Sequence, residues 1–142
     1  MPHNGWRLYG SDTIGKIMDK ATYEKGLSIR REVLGAEYVD NAIANADDFS
    51  LPIQQLSTQY CWGEVWGRPG LERKTRSFIN LAMIAALNRP HELRLHIKAA
   101  MTNGLTKEDI KEVFLQVAIY CGIPAGIDSF RAAKEVFKEM GI

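Results

Sequence analysis

The chain has only two cysteines in 142 residues, Cys61 and Cys121, and no CxxC pair. Two are too few for a disulfide scaffold, so both are read as reduced, packed thiols. No apolar run approaches the roughly 20 residues that cross a bilayer, so no membrane span is expected. Neither charge sign dominates. Eighteen Lys and Arg against seventeen Asp and Glu leave a net charge of +1. The chain as a whole therefore has no pull toward nucleic acid or anionic membrane. A local basic pocket for a small anion stays open. The opening MPHNGWRLYGSDTIGK lacks the basic-then-apolar order of a signal peptide, and a cytoplasmic location is expected. No segment alternates apolar and polar residues over a strand's length, and no hairpin signal occurs, so no sheet is expected. No internal repeat or low-complexity segment is present.

What is present fits one all-α domain. The chain is 46% apolar and 25% charged, which excludes disorder, and its length suffices to bury a core without disulfides or metal. Residues 1–18 are Gly-rich and aperiodic. They are expected to form an arm, with Trp6, Leu8 and Tyr9 docking on the body or on a neighbouring subunit. The body over 19–142 should hold six or seven short helices in antiparallel hairpins.

The first helix runs from Lys20 to Leu34 and stops at Gly35. A second runs from Ala36 to about Ala46. Ser50 can cap a third, with Pro52 in its first turn and Ile53, Leu56 and Tyr60 along one side. Gly63, Gly67 and Arg68–Gly70 predict a turn-rich passage. Leu71–Leu87 is apolar nearly all round from Phe78 onward, the pattern of a central helix. Asn88-Arg89-Pro90 breaks it. A helix from His91 to Asn103 ends at Gly104. Thr106 and Asp109 form a capping box for the next, which carries Ile110, Phe114, Val117 and Cys121. The last helix spans Ala125–Met140. The apolarity of 78–87 exceeds what one small bundle must hide, which predicts a homo-oligomer.

Two stretches carry chemistry. In NRPHELRLHIKAAMTNG, His91-Glu92 and His96 resemble a zinc-protease helix. That helix needs its histidines four residues apart. Five residues leave His91 and His96 about 140° apart on a helix, so they cannot share a metal on one face. No metal site is expected. Glu92 and His96 are one turn apart and do share a face, with Asn103 three turns along the same stripe. Leu93, Ile97, Ala100 and Met101 form the other side. The polar line is either a solvated face or a histidine oriented by a carboxylate. The second case would raise the imidazole pKa from about 6.5 toward neutrality, suiting proton transfer.

The second stretch is YCWGEVWGRPGL, Tyr60–Leu71. Trp62 and Trp66 flank Glu64, and Arg68 follows. Either the indoles wedge a helix end into the core, or they wall a pocket for a flat substrate with Arg68 holding a carboxylate. Cys61 would act as a nucleophile only beside a base that lowers its pKa, and the sequence shows none.

RREVLG at 30–35, WGEVWGRPGLERKTRS at 62–77 and ELRLHIKAAMTNGLTKEDIKEVFLQVAIYCGIPA at 92–125 together resemble the carboxymuconolactone decarboxylase family. The resemblance covers about residue 20 to the end. It looks closest to the 4-carboxymuconolactone decarboxylases of the protocatechuate branch of the β-ketoadipate pathway, a route of aromatic compound catabolism. It implies an all-helical alkylhydroperoxidase D-like fold and a homotrimer or homohexamer. The implied reaction is cofactor-free decarboxylation of a small lactone carboxylate. His96 falls where the wider superfamily keeps its histidine, eight residues before Gly104. Thiol peroxidases of that superfamily place CxxC just before this histidine. Here Arg89 and Glu92 occupy those positions, and the peroxidases' glutamate one helix earlier is replaced by Phe78 or a neighbour.

The expected roles are therefore His96 as proton donor or oxyanion stabiliser, oriented by Glu92. Arg68, with Arg76 or Arg89 as helpers, would clamp a carboxylate, and Trp62, Glu64 and Trp66 would line the pocket. Three other readings stand beside this one. They are a decarboxylase or isomerase acting on another lactone or β-keto acid, a thiol-dependent peroxidase or reductase of the same fold, and a non-catalytic helical oligomer.

Overall fold

The structure is a computed structural model and describes residues 19–142. The arm expected over residues 1–18 lies outside the described residues. Among the described residues there are seven α-helices, one π-helical segment and no strand. No helix among them is long and apolar enough to cross a membrane. They form two compact units, residues 19–70 and 71–142.

The first unit begins at α1, Lys20–Leu34, where the Asp19 carboxylate caps by accepting the Ala21 N–H at 3.1 Å. Gly35 ends α1 at φ +95°, a conformation that an L side chain rarely adopts, and starts α2, Ala36–Ala44. Ser50 does not cap α3, Leu51–Leu56, with its side chain. It closes the preceding turn instead: its N–H donates to Asp47 at 2.9 Å, and its Oγ accepts the Asp47 N–H at 3.1 Å. The carboxylate three residues back competes for the serine that would otherwise serve the helix.

The turn-rich passage expected around Gly63 is instead helix. α3 runs without a break into a π segment, Ser57–Val65. Its wide register shows at the end, where the Trp66 N–H donates five residues back to the Cys61 carbonyl at 2.9 Å. Gly63 is there for contact rather than for a turn. A Cβ on Gly63 would stand 2.5 Å from the Thr22 carbonyl oxygen, and one on Gly26 would stand 1.9 Å from that of Thr58. α1 and the π segment therefore touch backbone to backbone. That contact sets which side of the segment faces inward. Gln55, Thr58, Gln59 and Trp62 are buried. Ile53, Leu56 and Tyr60, the apolar side expected from the sequence, are exposed.

The second unit holds α4 (Arg73–Ala86), α5 (Pro90–Thr102), α6 (Lys107–Tyr120) and α7 (Ile123–Met140). α4 packs on α5 and α6, and α7 packs on α5 and α6. The turns between helices carry left-handed residues, Asn88 at φ +55°, Gly104 at +99° and Gly122 at +104°. The Thr106–Asp109 capping box is present in both directions, at 3.1 and 2.9 Å. Leu81, Ile97, Ala100, Ile110 and Phe114 form the centre of the core, each no more than 1% exposed. α4 is not buried all round, as its sequence suggests. Ser77, Leu81 and Ala85 face the core, while Ile79, Met83 and Leu87 are exposed. α5 and α6 cover one side of the helix only.

The close approach in the first unit gives a direct test. Gly26→Ala should destabilise the protein by at least about 2 kcal/mol, because backbone on the far side cannot yield as a side chain would. Gly70→Ala, where a Cβ meets no atom within 4 Å, should leave stability unchanged. Denaturant titration of the two variants decides; equal midpoints would remove the backbone contact as a constraint.

Candidate active site

α5 has two faces. Leu93, Ile97 and Ala100 are buried in the core, on the side the sequence assigns to packing. Glu92, His96 and Asn103 line the neighbouring face, between the buried Ala99 and Ala100. Glu92 lies in the first turn, where a negative charge suits the helix dipole, and is exposed. His96 is half-buried. Asn103 ends the helix, and its Nδ2 donates to the Ser77 Oγ of α4 at 2.9 Å. Ser77 is 2% exposed and sits on the 77-81-85 stripe that α4 turns to the core. A hydroxyl on that buried stripe was the available sign of a role, and sequence reasoning passed over it. Arg76, its neighbour, is half-buried.

The protonation of His96 differs from expectation. Desolvation lowers its pKa below the ordinary 6.5, and the Glu92 charge opposes this without reversing it. The reason is exposure: Glu92 acts largely through solvent, while the imidazole loses its own water to the packed helix. At pH 7 the free protein holds His96 neutral. A neutral imidazole donates a hydrogen bond without carrying a charge into the site.

In the first unit, Trp62 and Trp66 are 3% and 5% exposed and stack on each other with centroids 4.8 Å apart. Of the two roles open to them this is the core role, because rings buried against each other present little face to a substrate. They anchor the segment on which Glu64 and Arg68 stand exposed. Arg30, from the RREVLG stretch, was given no role by sequence reasoning. It is 6% exposed, and its Nη1 donates to the Thr58 Oγ1 at 3.1 Å. Thr58 passes the chain on to the Gln54 carbonyl at 2.7 Å. A polar inner face beside a π segment is where function concentrates.

The cysteines are not packed as the sequence suggests; both residues are exposed. Cys121 sits in the turn that ends α6. Desolvation pushes the Cys61 thiol above its ordinary pKa, and the Arg30 charge only offsets this in part. That favours the unreactive thiol. Among the described residues no cluster of three or more His, Cys, Asp or Glu side chains could hold a metal.

An all-helical chain with a half-buried, acid-flanked histidine and no CxxC fits a class of proton-transfer enzymes better than a thiol oxidoreductase. The carboxymuconolactone decarboxylase family model matches residues 52–135, and the chain belongs to that family. Its fold is the all-α alkylhydroperoxidase D-like one. The relatives sharpen this. Over 124 residues the chain is 44% identical to a 4-carboxymuconolactone decarboxylase of Acinetobacter baylyi, covering 87% of this chain and 92% of the relative. Over 130 residues it is 39% identical to a nitrosuccinic acid decarboxylase of Metarhizium robertsii, covering 92% and 91%. It is also 32% identical over 93 residues to an uncharacterized 15.0 kDa protein of Paracoccus denitrificans, covering 63% and 67%. The chain is an enzyme of the carboxy-lyase class.

The lowered His96 pKa has a stability consequence. The unfolded chain binds the proton at about 6.5, and the folded one only at lower pH. His96 therefore costs nothing above 6.5, and folding stability falls as pH drops from 6.5 to the folded pKa. NMR titration should place the His96 midpoint below 6.5, and Glu92→Gln should lower it further by removing the opposing charge. A midpoint that rises in Glu92→Gln would contradict the assigned cause.

Proposed function

We propose that the enzyme decarboxylates 4-carboxymuconolactone to β-ketoadipate enol-lactone and carbon dioxide, in the protocatechuate branch of aromatic catabolism. The observation that carries this reading is the 44% identity to a 4-carboxymuconolactone decarboxylase over 92% of that relative. The substrate chemistry explains why the residues suffice. As the C–CO2 bond breaks, its electron pair moves through the conjugated C=C bond onto the lactone carbonyl oxygen. The lactone is its own electron sink, so the step requires no other.

His96 supplies the proton chemistry. Free, it is neutral. The arriving dicarboxylate adds negative charge, raises the imidazole pKa and lets His96 take up a proton from solvent. The imidazolium then hydrogen-bonds the oxyanion that develops on the carbonyl, and its proton passes to carbon once carbon dioxide has left. Glu92 acts in the same direction as the substrate, by favouring the charged ring. The half-buried Arg76, on the same unit as His96, clamps the carboxylate that stays. Trp62 and Trp66 hold the Glu64–Arg68 segment from beneath. The raised Cys61 pKa argues for this route over a thiol-dependent one. The exposed Ile79, Met83 and Leu87 on α4 support a homo-oligomeric enzyme.

The nitrosuccinic acid decarboxylase relative favours a second reading, a different activated dicarboxylate. There a nitro group would take the electrons that the lactone carbonyl takes here, and the same histidine would serve.

Carbon dioxide release from each of the two substrates separates the readings. Turnover of 4-carboxymuconolactone above nitrosuccinate supports the first; the reverse order supports the second. With the better substrate, His96→Ala should lower kcat by about 100- to 10,000-fold with a smaller change in KM. Turnover near that of the unmodified enzyme would remove His96 from the chemistry. Arg76→Ala should mainly raise KM, and an unchanged KM would remove the clamp.

A further inference from the structure

A cavity of about 460 Å³ opens in the second unit, between the α4–α5 turn and the first turns of α7. Arg89, expected from the sequence as a helper in the active-site clamp, lines this cavity instead, and His96 does not. Its charged lining is lopsided: Arg89, Arg94 and Arg131 against a single carboxylate, Asp128. The three guanidinium groups are not equally committed. Arg94 is held on both edges, with Nε and Nη2 on Glu135 at 2.7 and 2.6 Å and Nη1 on the Pro90 carbonyl at 3.2 Å. Arg131 gives Nη1 to Asp128 at 2.6 Å, and Arg89 gives Nη1 to the Leu87 carbonyl at 3.1 Å. A guanidinium has five N–H donors, so Arg89 and Arg131 keep donors for a ligand while Arg94 stands as a fixed positive wall.

The uncharged lining is apolar apart from Asn88 and Ser129. Leu93 at 5% and Ala132 at 2% exposure form its buried floor. Ser129 faces the same space, but its hydroxyl already donates to the Ala125 carbonyl at 2.8 Å. The volume falls within the range of small-molecule sites, about 300–1,000 Å³. Cations on the turn and on α7, with a dry floor between them, match an anion at each end of a short aliphatic chain. α5 and α7 both begin here without a side-chain cap, which adds to the positive field.

We propose that this cavity binds a small organic dicarboxylate, with its carboxylates on Arg89 and Arg131 and its carbon chain over Leu93 and Ala132. The site is separate from the His96 face. It offers a place for a substrate- or product-like diacid to act on the enzyme without occupying the reacting centre. The proposal does not rest on the decarboxylase assignment, because its test reads binding.

The probe is adipate, a six-carbon dicarboxylate, titrated into the full chain by calorimetry and by amide NMR. Saturable binding should shift the Leu93, Ser129 and Ala132 amides. It should weaken about tenfold or more in Arg89→Gln and in Arg131→Gln, both exposed positions that leave the core intact. It should persist in His96→Gln, and sulfate should bind more weakly for want of a chain to cover the floor. Failure of adipate to saturate would overturn the proposal. So would binding lost in His96→Gln but kept in both arginine variants, or sulfate binding as tight as adipate.

Discussion

Burial of the Leu93–Ile97–Ala100 stripe fixes the rotation of α5, and the chemistry of the second unit follows from that rotation. With Ile97 and Ala100 fully enclosed, the helix has no freedom to turn. Glu92, His96 and Asn103 must then project along the edge of that stripe, between the buried Ala99 and Ala100, and Arg94 must point toward α7, where Glu135 holds it. The same packing strips water from His96. The apolar stripe therefore both places the imidazole and makes it neutral, since desolvation outweighs the exposed Glu92 charge.

The first unit obeys a different constraint. Two glycines, Gly26 and Gly63, let α1 and the π segment approach until backbones touch. That contact turns Gln55 of α3 and Thr58 and Gln59 of the π segment inward and leaves Ile53 and Leu56 in contact with solvent. A buried guanidinium, Arg30, is tolerated because that inner face offers it a hydroxyl. Apolar side chains have gone out and polar ones in, the reverse of what burial alone would choose.

The proposed loss of carbon dioxide suits the His96 face of the second unit. Decarboxylation onto a conjugated carbonyl asks the protein to hold a carboxylate, shelter the departing one, and manage one proton. In the mechanism we propose, a neutral histidine that gains a proton only when an anion arrives avoids storing a buried charge in the resting enzyme. The same proposal gives neither cysteine a role; both are exposed as residues, and desolvation keeps the Cys61 thiol poorly ionised.

Helix number and most helix ends were legible in the sequence, because they depend on neighbours within a few residues. Gly35, Asn88-Arg89-Pro90, Gly104 and the Thr106–Asp109 box mark their boundaries where the structure has them. The Glu92–His96 pairing was also legible, since four-residue spacing is a property of one helix. The continuation of α3 through Gly63 was not. A glycine that looks like a turn locally is a contact point once α1 lies against it. The burial of Trp62, Trp66 and Arg30 and the one-sided covering of α4 were hidden for the same reason. So was the Asn103–Ser77 bond. The sequence by itself determined an all-helical family member with a histidine and a carboxylate on one helix face. Only the tertiary structure decided the charge state of that histidine and gathered three arginines around one cavity. Desolvation and electrostatic fields depend on distances between residues far apart in the chain, and no local pattern encodes them.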